Sequence, residues 1–310
     1  MREVIRDQVS GNGDRGSGNG AQGERSADSP LTPDASPIPY DAVISVPLAD
    51  VRREPDAASE LVTQALLGIP AVRLAADPSG TWIRVRLPDY EGWVPADALV
   101  ARPGEPAATT VQVTAPAASL TLPSRTEAWT VYAGSLLSLG SPPAGDPVVV
   151  LLPDGRPATI AAGAVAPVGD SSACGSAADV IATARRFLGT PYLWGGMTVR
   201  GIDCSGFVQT VYRVHGYTIP RDADQQFDAL PIAVERDALR PGDLLFFGQS
   251  PSAITHVGLY LGDSRMIHAS GATTPPVVCI ESLDPAAPDF SERRARTYIG
   301  ARRVIGSPGV

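Results

Sequence analysis

The sequence predicts an α+β protein in which small all-β modules precede a domain of helices and antiparallel strands. Three observations lead there. Short apolar runs broken by turn residues fill the chain from about Ala42 to about residue 168. Two stretches with apolar residues at helical spacing follow, beginning at Ser176 and Cys204. Five strand-like runs then close the chain, and helices first with antiparallel strands after is the α+β order.

A chain of 310 residues is too long for one small core and implies two or three domains. Residues 1–40 are rich in Gly, Ser, Asp and Pro, cannot bury a core, and are expected to be disordered. Residues 41–102 read as a first barrel. Its strand candidates are Ala42–Val46, Leu61–Leu67, Ala71–Ala75, Trp82–Leu87 and Gly92–Val94, with turns at Asp77-Pro78-Ser79-Gly80 and Pro88-Asp89. Residues 103–170 read as a degenerate second copy, with strands at Leu120–Leu122, Trp129–Tyr132, Val148–Leu152 and Ala158–Ile160. Asp154-Gly155 signals a hairpin between the last two.

Residues 174–310 form the third segment. Ser176 with Asp179 three residues on is an N-cap signature, and Val180, Ile181, Ala184, Phe187 and Leu188 make one apolar stripe that Gly189 ends. A second helix is expected from Cys204 to His215, with Phe207, Val208, Val211, Tyr212 and Val214 inward and Gly216 as the stop. Strands are expected at Asp243–Phe247, His256–Leu261, Arg265–Ala269, Val277–Ile280 and Tyr298–Ile305.

Every one of the 25 basic residues is arginine, the net charge is −8, and no basic stripe is present, which argues against a nucleic-acid partner. The acidic balance suits a small or zwitterionic substrate better than a polyanion. Three cysteines make no disulfide framework. No apolar run approaches 18 residues, so no membrane span is expected. The first residues are followed by no apolar stretch, so a cytoplasmic location is expected, with a secreted or wall-associated one as the alternative.

The chemistry concentrates on Cys204. It stands where the glycine-containing turn Gly201-Ile202-Asp203 becomes a helix, and a helix N-terminus favours the thiolate. Its backbone N–H groups also suit an oxyanion. His256 and His268 lie in consecutive strands around Gly262-Asp263-Ser264. A hairpin symmetric about Gly262 places the two imidazoles opposite each other, so that one orients the other. A thiol, a base and an orienting group are the parts of a nucleophilic hydrolase. No C-x-x-C or H-E-x-x-H spacing is present, so no metal and no cofactor are expected. His215 reads as a partner of a helix C-terminal dipole, and Cys174 and Cys279 as structural or incidental.

With these residues the chain resembles the NlpC-type murein peptidases, cysteine hydrolases with a papain-like core in rearranged order. The resemblance spans about residues 176–305 and rests on Gly189-Thr190-Pro191-Tyr192-Leu193-Trp194-Gly195-Gly196, Asp203-Cys204-Ser205-Gly206, Pro220-Arg221-Asp222-Ala223, Pro241-Gly242-Asp243-Leu244 and His256-Val257-Gly258. It implies Cys204 as nucleophile, His256 as general base and His268 as orienting residue, with Tyr192, Asp203, Ser205 and Asp222 lining the cleft. It implies hydrolysis of murein stem peptides between γ-D-glutamate and a diamino acid, by a monomer without cofactor. The barrels resemble bacterial Src-homology-3-like modules through Ser59–Gln64 and Tyr90–Pro95. In relatives of that domain order the first barrel closes the cleft and holds the free amine of an N-terminal L-alanine. By that resemblance Glu60 and Tyr90 touch substrate; the alternative is that both are solvated turn residues. Restriction to short free peptides implies recycling of wall fragments. Two other readings stay open: a non-catalytic peptidoglycan-binding protein, and a thiol amidase or acyltransferase on the same core.

Overall fold

The computed structural model describes residues 40–102, 109–123, 128–140, 145–168 and 174–307; the N-terminal segment expected to be disordered lies outside them. The first seven strands are β1 (Ala42–Ile44), β2 (Leu48–Arg52), β3 (Leu61–Leu66), β4 (Pro70–Ala76), β5 (Trp82–Arg86), β6 (Glu91–Pro95) and β7 (Leu99–Ala101). They form an antiparallel sheet in the order β3-β2-β6-β5-β4-β1-β7, closed over Ile44, Val51, Val85 and Val94. Five strands were expected and seven are present. β2 escapes notice because its inward residues are Ala49 and Val51, alternating with polar Asp50 and Arg52. β7 is only three residues long and follows a single tight turn at Ala96–Ala98.

The next seven strands are β8 (Thr110–Val113), β9 (Ala117–Leu120), β10 (Trp129–Tyr132), β11 (Leu136–Leu139), β12 (Val148–Leu151), β13 (Pro157–Ile160) and β14 (Val165–Pro167). They make a five-stranded sheet, β13-β12-β11-β8-β14, and a β10-β9 ribbon. The expected Leu120–Leu122 strand is shifted upstream: Leu120 ends β9 opposite Trp129, Thr121 keeps an isolated bridge to Thr159, and Leu122 is buried in the core. A tight turn at Ala162–Ala164 before β14 repeats the ending of the first module. Gly155 has φ +83°, as its hairpin turn requires.

The third part contains α1 (Ala177–Arg185), the ribbon β15 (Met197–Thr198) and β16 (Gly201–Ile202), α2 (Cys204–Arg213) and α3 (Ala223–Ala229). It continues with β17 (Ile232–Val234), β18 (Leu244–Gly248), β19 (Ile254–Gly262), β20 (Arg265–Ser270), β21 (Val277–Ser282), α4 (Glu292–Thr297) and β22 (Tyr298–Arg303). The six-stranded sheet runs β17-β22-β18-β19-β20-β21. β18 is buried on both faces, which is why Leu244-Leu245-Phe246-Phe247 shows no alternation. Val180, Phe187, Phe207, Val208 and Val211 pack on Leu244, Phe246, Val257 and Ile267. The Ser176–Asp179 capping box forms in both directions. α1 ends at Arg185, earlier than expected; a turn carries Phe187 into the core and leaves Leu188 exposed before Gly189 reverses the chain at φ +81°. No helix among the described residues is long and apolar enough to cross a membrane.

The two β modules join through backbone. Leu136 N–H donates to Leu67 O at 2.8 Å, and Leu67 completes the second module's core. Gly68 sits in that contact with φ +81°, and a Cβ there would lie 1.8 Å from Leu136 O. Gly68→Ala is therefore expected to cost about 1–3 kcal/mol in backbone strain alone, plus the clash. Thermal unfolding of the variant beside wild type checks this, and an unchanged midpoint contradicts it.

Candidate active site

The nucleophile's position is set by close backbone packing. Gly195 has φ +74° and lies against Leu61 O of β3; Gly196 lies against Gly201 O, where a Cβ would stand 2.4 Å away. This turn delivers the chain into Asp203, the N-cap of α2, whose carboxylate accepts from Gly206 N–H at 2.7 Å and from Gly195 N–H at 2.9 Å. Cys204 is the first residue of the helix. Gly206 must be glycine because a Cβ would meet Gly196 O at 2.5 Å.

Under this turn lies a buried ion pair. Arg221, 1% exposed, donates through Nη2 to Asp203 Oδ2 at 2.6 Å and through Nη1 to Asp203 Oδ1 at 3.1 Å. The same guanidinium reaches Ser205 Oγ at 2.9 Å and, through Nε, Thr63 Oγ1 of β3 at 2.8 Å. Burial works against the charge on Arg221, but Asp203 outweighs it and raises its pKa further. Asp203 and Ser205, both expected to line a cleft, direct their side chains to the helix cap and to Arg221. No role for Arg221 is legible locally, because nothing short-range links it to Asp203 or to Thr63.

Burial pushes the Cys204 thiol up to about 11, with the neighbouring Asp203 adding to the rise. A hydrogen bond from Val257 N–H, next to His256, opposes it. With its pKa raised by burial, the resting sulfur is a thiol rather than the thiolate that a helix N-terminus favours.

His256 and His268 do meet, by a different register. β19 and β20 pair Leu259 with Ile267 and Tyr260 with Met266, around a two-residue turn at Asp263-Ser264 with φ +51° and +58°. The hairpin centre is therefore Asp263, not Gly262, and His268 faces Gly258. A shift of two positions keeps both histidines on one face. Gly258 leaves the room: a Cβ there would lie 3.2 Å from His268 Cβ. His256 Nε2 and His268 Nδ1 are 2.8 Å apart.

The row continues onto β21, where the sequence reading stopped. Cys279 pairs directly with His268, and its Sγ lies 3.7 Å from His268 Nε2. Glu281, two residues on and on the same face, places Oε2 3.1 Å from that nitrogen. Burial raises the Glu281 carboxyl, but His268 and Ser291 outweigh it and hold it below its usual range. Burial lowers His268, and lowers His256 well below its usual value with His268 adding to the effect, so both rings are neutral at neutral pH. Since an ionised carboxylate can only accept, His268 carries its proton on Nε2. Its Nδ1 then accepts from His256 Nε2–H, which leaves a lone pair on His256 Nδ1. Of the two readings for Cys279, structural or incidental, its place beside His268 favours the first; Glu281 was missed, and its signal was the strand period of two counted from the partner of His268.

His215 lies beyond the helix, and its Nε2 is 2.8 Å from Thr183 Oγ1 of α1. Burial lowers its pKa, so it ties two helices together as a neutral ring and is no dipole partner.

The remaining predicted residues gather along one edge. The Tyr192 phenol is raised first by burial and then by the neighbouring Cys204 and Asp203. Tyr90 is hydrogen-bonded to Asp222, whose carboxyl burial pushes up to about 6 against the pull of Arg221. Glu60 accepts from Trp194 Nε1 at 3.0 Å and from Arg53 Nε at 2.6 Å. The first module is held to this edge by Gln64 Oε1 on Met197 N–H at 3.1 Å, and by Asp89 on Gln209 and Arg213.

Residues 189–284 match the NlpC/P60 family, and residues 51–99 match the bacterial dipeptidyl-peptidase Sh3 domain. A gamma-D-glutamyl-L-lysine dipeptidyl-peptidase of Bacillus cereus is 34% identical over 271 residues, covering 80% of this chain and 76% of its own. A protein of the same name from Bacillus subtilis is 48% identical over 97 residues, 31% of this chain and 32% of its own. The crystal structure of an NlpC/P60 family protein from Bacillus cereus superposes with a TM-score of 0.73 at 30% identity, covering 85% of this chain and 99% of that one.

Removing one member of a buried pair strands the other. Arg221→Ala is expected to lower stability by about 3–5 kcal/mol. Denaturant unfolding measures it, and a loss under 1 kcal/mol would show that Asp203 does not depend on this partner.

Proposed function

The chain belongs to the NlpC/P60 family of cysteine peptidases, and on that premise we propose that it hydrolyses the γ-D-glutamyl bond to a diamino acid in murein stem peptides bearing a free N-terminal L-alanine. The observation that carries the reading is the polar row His256, His268, Glu281 beside a cysteine that opens a helix. His256 Nδ1 takes the thiol proton as Cys204 Sγ attacks the γ-carbonyl carbon. The oxyanion forms beside the unpaired N–H groups at the start of α2. His256 returns the proton to the departing α-amine of the diamino acid, leaving a thioester. Water, deprotonated by the same imidazole, hydrolyses the thioester and restores the thiol. A thiol and a neutral imidazole at rest mean that proton transfer accompanies attack.

The amine end is assigned to Tyr90, Asp222 and Glu60. Barrel and peptidase residues converge there, and Arg53 already sets a cation against Glu60. Tyr192, beside Cys204, is assigned to the peptide next to the scissile bond. We place this activity in the cytoplasm, because a cleft limited to free peptides suits released fragments better than intact wall.

Incubation with L-Ala-γ-D-Glu-L-Lys should release lysine, and Cys204→Ala should abolish release. Binding without turnover by wild type would favour a binding protein, and transfer of the acyl group to an added amine an acyltransferase. N-acetylation of the substrate should raise KM at least tenfold.

Asp222, with its pKa raised to about 6, is ionised above that pH and neutral below it. KM should therefore rise as pH falls through about 6, up to tenfold per unit, while kcat changes less. Asp222→Asn should remove that limb; a KM independent of pH between 5 and 7 in wild type contradicts the assignment.

A further inference from the structure

His268, Cys279 and Glu281 form a cluster whose chemistry exceeds the orientation of one imidazole. Their ligand atoms, Nε2, Sγ and a carboxylate oxygen, all lie within 4.8 Å of one another. Zinc–ligand bonds of about 2.0–2.3 Å at tetrahedral angles put neighbouring ligand atoms roughly 3.3–3.7 Å apart. The observed Nε2 to Sγ separation is 3.7 Å and Nε2 to Oε2 is 3.1 Å, so little movement is needed. Glu281 Oε2 is buried and already faces His268 Nε2, the atom a shared metal would replace as its partner. The ligands come from adjacent positions of two paired strands, a rigid mount that no short-range motif encodes. Cys279 and Glu281 are only partly buried and lie on β21, the edge strand of the sheet, which gives a metal ion and a water as fourth ligand a way in.

We propose that His268, Cys279 and Glu281 form a reversible inhibitory site for Zn2+ or a similar borderline-soft dication. The thiolate and carboxylate together balance the dication, while the neighbouring Arg294 opposes it. That balance suits a site filled and emptied with metal supply. On binding, the Cys279 proton leaves to solvent. The metal takes the Nε2 lone pair of His268, so the ring's proton moves to Nδ1. Nδ1–H now donates to His256 Nε2, and the His256 proton moves from Nε2 to Nδ1. Each ring still carries one proton, but the lone pair that served Cys204 is gone. The metal silences the nucleophile without touching it. The site stands independently of the peptidase reading; its effect on turnover rests on that reading.

The test uses Co2+ and Zn2+ on the full chain. With Co2+, the Cys204→Ala protein should show sulfur-to-cobalt charge-transfer absorption in the near ultraviolet, displaced by Zn2+. Cys279→Ser should lose it, and Glu281→Gln should keep it with at least tenfold weaker binding. Zn2+ should inhibit wild-type turnover reversibly to chelator, and the inhibitory concentration should rise at least tenfold in Cys279→Ser relative to that variant's own metal-free rate. Circular dichroism of each variant checks that it is folded. Loss of the band in Cys204→Ala, or its retention in a folded Cys279→Ser, overturns the site, because the metal would then sit on another thiol. A band without any peptidase activity in wild type leaves the site intact and removes the peptidase reading instead.

Discussion

A buried carboxylate and a buried guanidinium hold this molecule's chemistry in place. Asp203 and Arg221 are both withdrawn from water, an arrangement that costs several kcal/mol per ion unless the remaining lone pairs and protons are met. Here they are met: Gly195 and Gly206 amides on one side, Ser205 and Thr63 hydroxyls on the other. The same carboxylate caps the helix that Cys204 begins. The geometry of the nucleophile is therefore a by-product of satisfying a buried charge. One of the groups satisfying it belongs to β3, so the first β module is part of the active-site foundation as well as a wall beside it.

The second organising feature is a single face of the sheet. His256, His268, Cys279 and Glu281 come from three neighbouring strands, and pleating together with the register shift between Tyr260 and Gly262 brings them into one row. The ionised end of the row dictates the protonation of everything before it. Burial keeps both imidazoles neutral and the thiol protonated. The site therefore stores no ion pair at rest and depends on tautomer order. The same dependence makes the row sensitive to anything that competes for His268 Nε2.

Much of this was legible in the sequence, and the reason is locality. The Ser176 cap, the start of α2 at Cys204, the strand character of 243–305 and the shared face of the two histidines all follow from spacing within a few residues. Cys204, His256 and His268 could be picked out for the same reason: a helix start and a two-strand hairpin are short-range objects. The hairpin centre was misplaced by one residue because the turn centres between Asp263 and Ser264 and a register shift between Tyr260 and Gly262 then resets the ladder, and symmetry reveals neither. Strands of three residues, such as β7, and β2 with its small inward Ala49, carry too little apolar signal to be seen.

Sequence alone determined which residues could do the chemistry and on which kind of element each would sit, because caps, periods and glycines act over one or two turns. Tertiary structure decided the protonation states and the partners. Desolvation is the largest influence on the state of Cys204, and desolvation is a property of everything packed around it. Arg221 finds Thr63 across 158 positions, and Glu281 finds His268 only because β21 pairs with β20. Neither meeting is written in any local pattern; both follow from how the sheet and the first module close around the site.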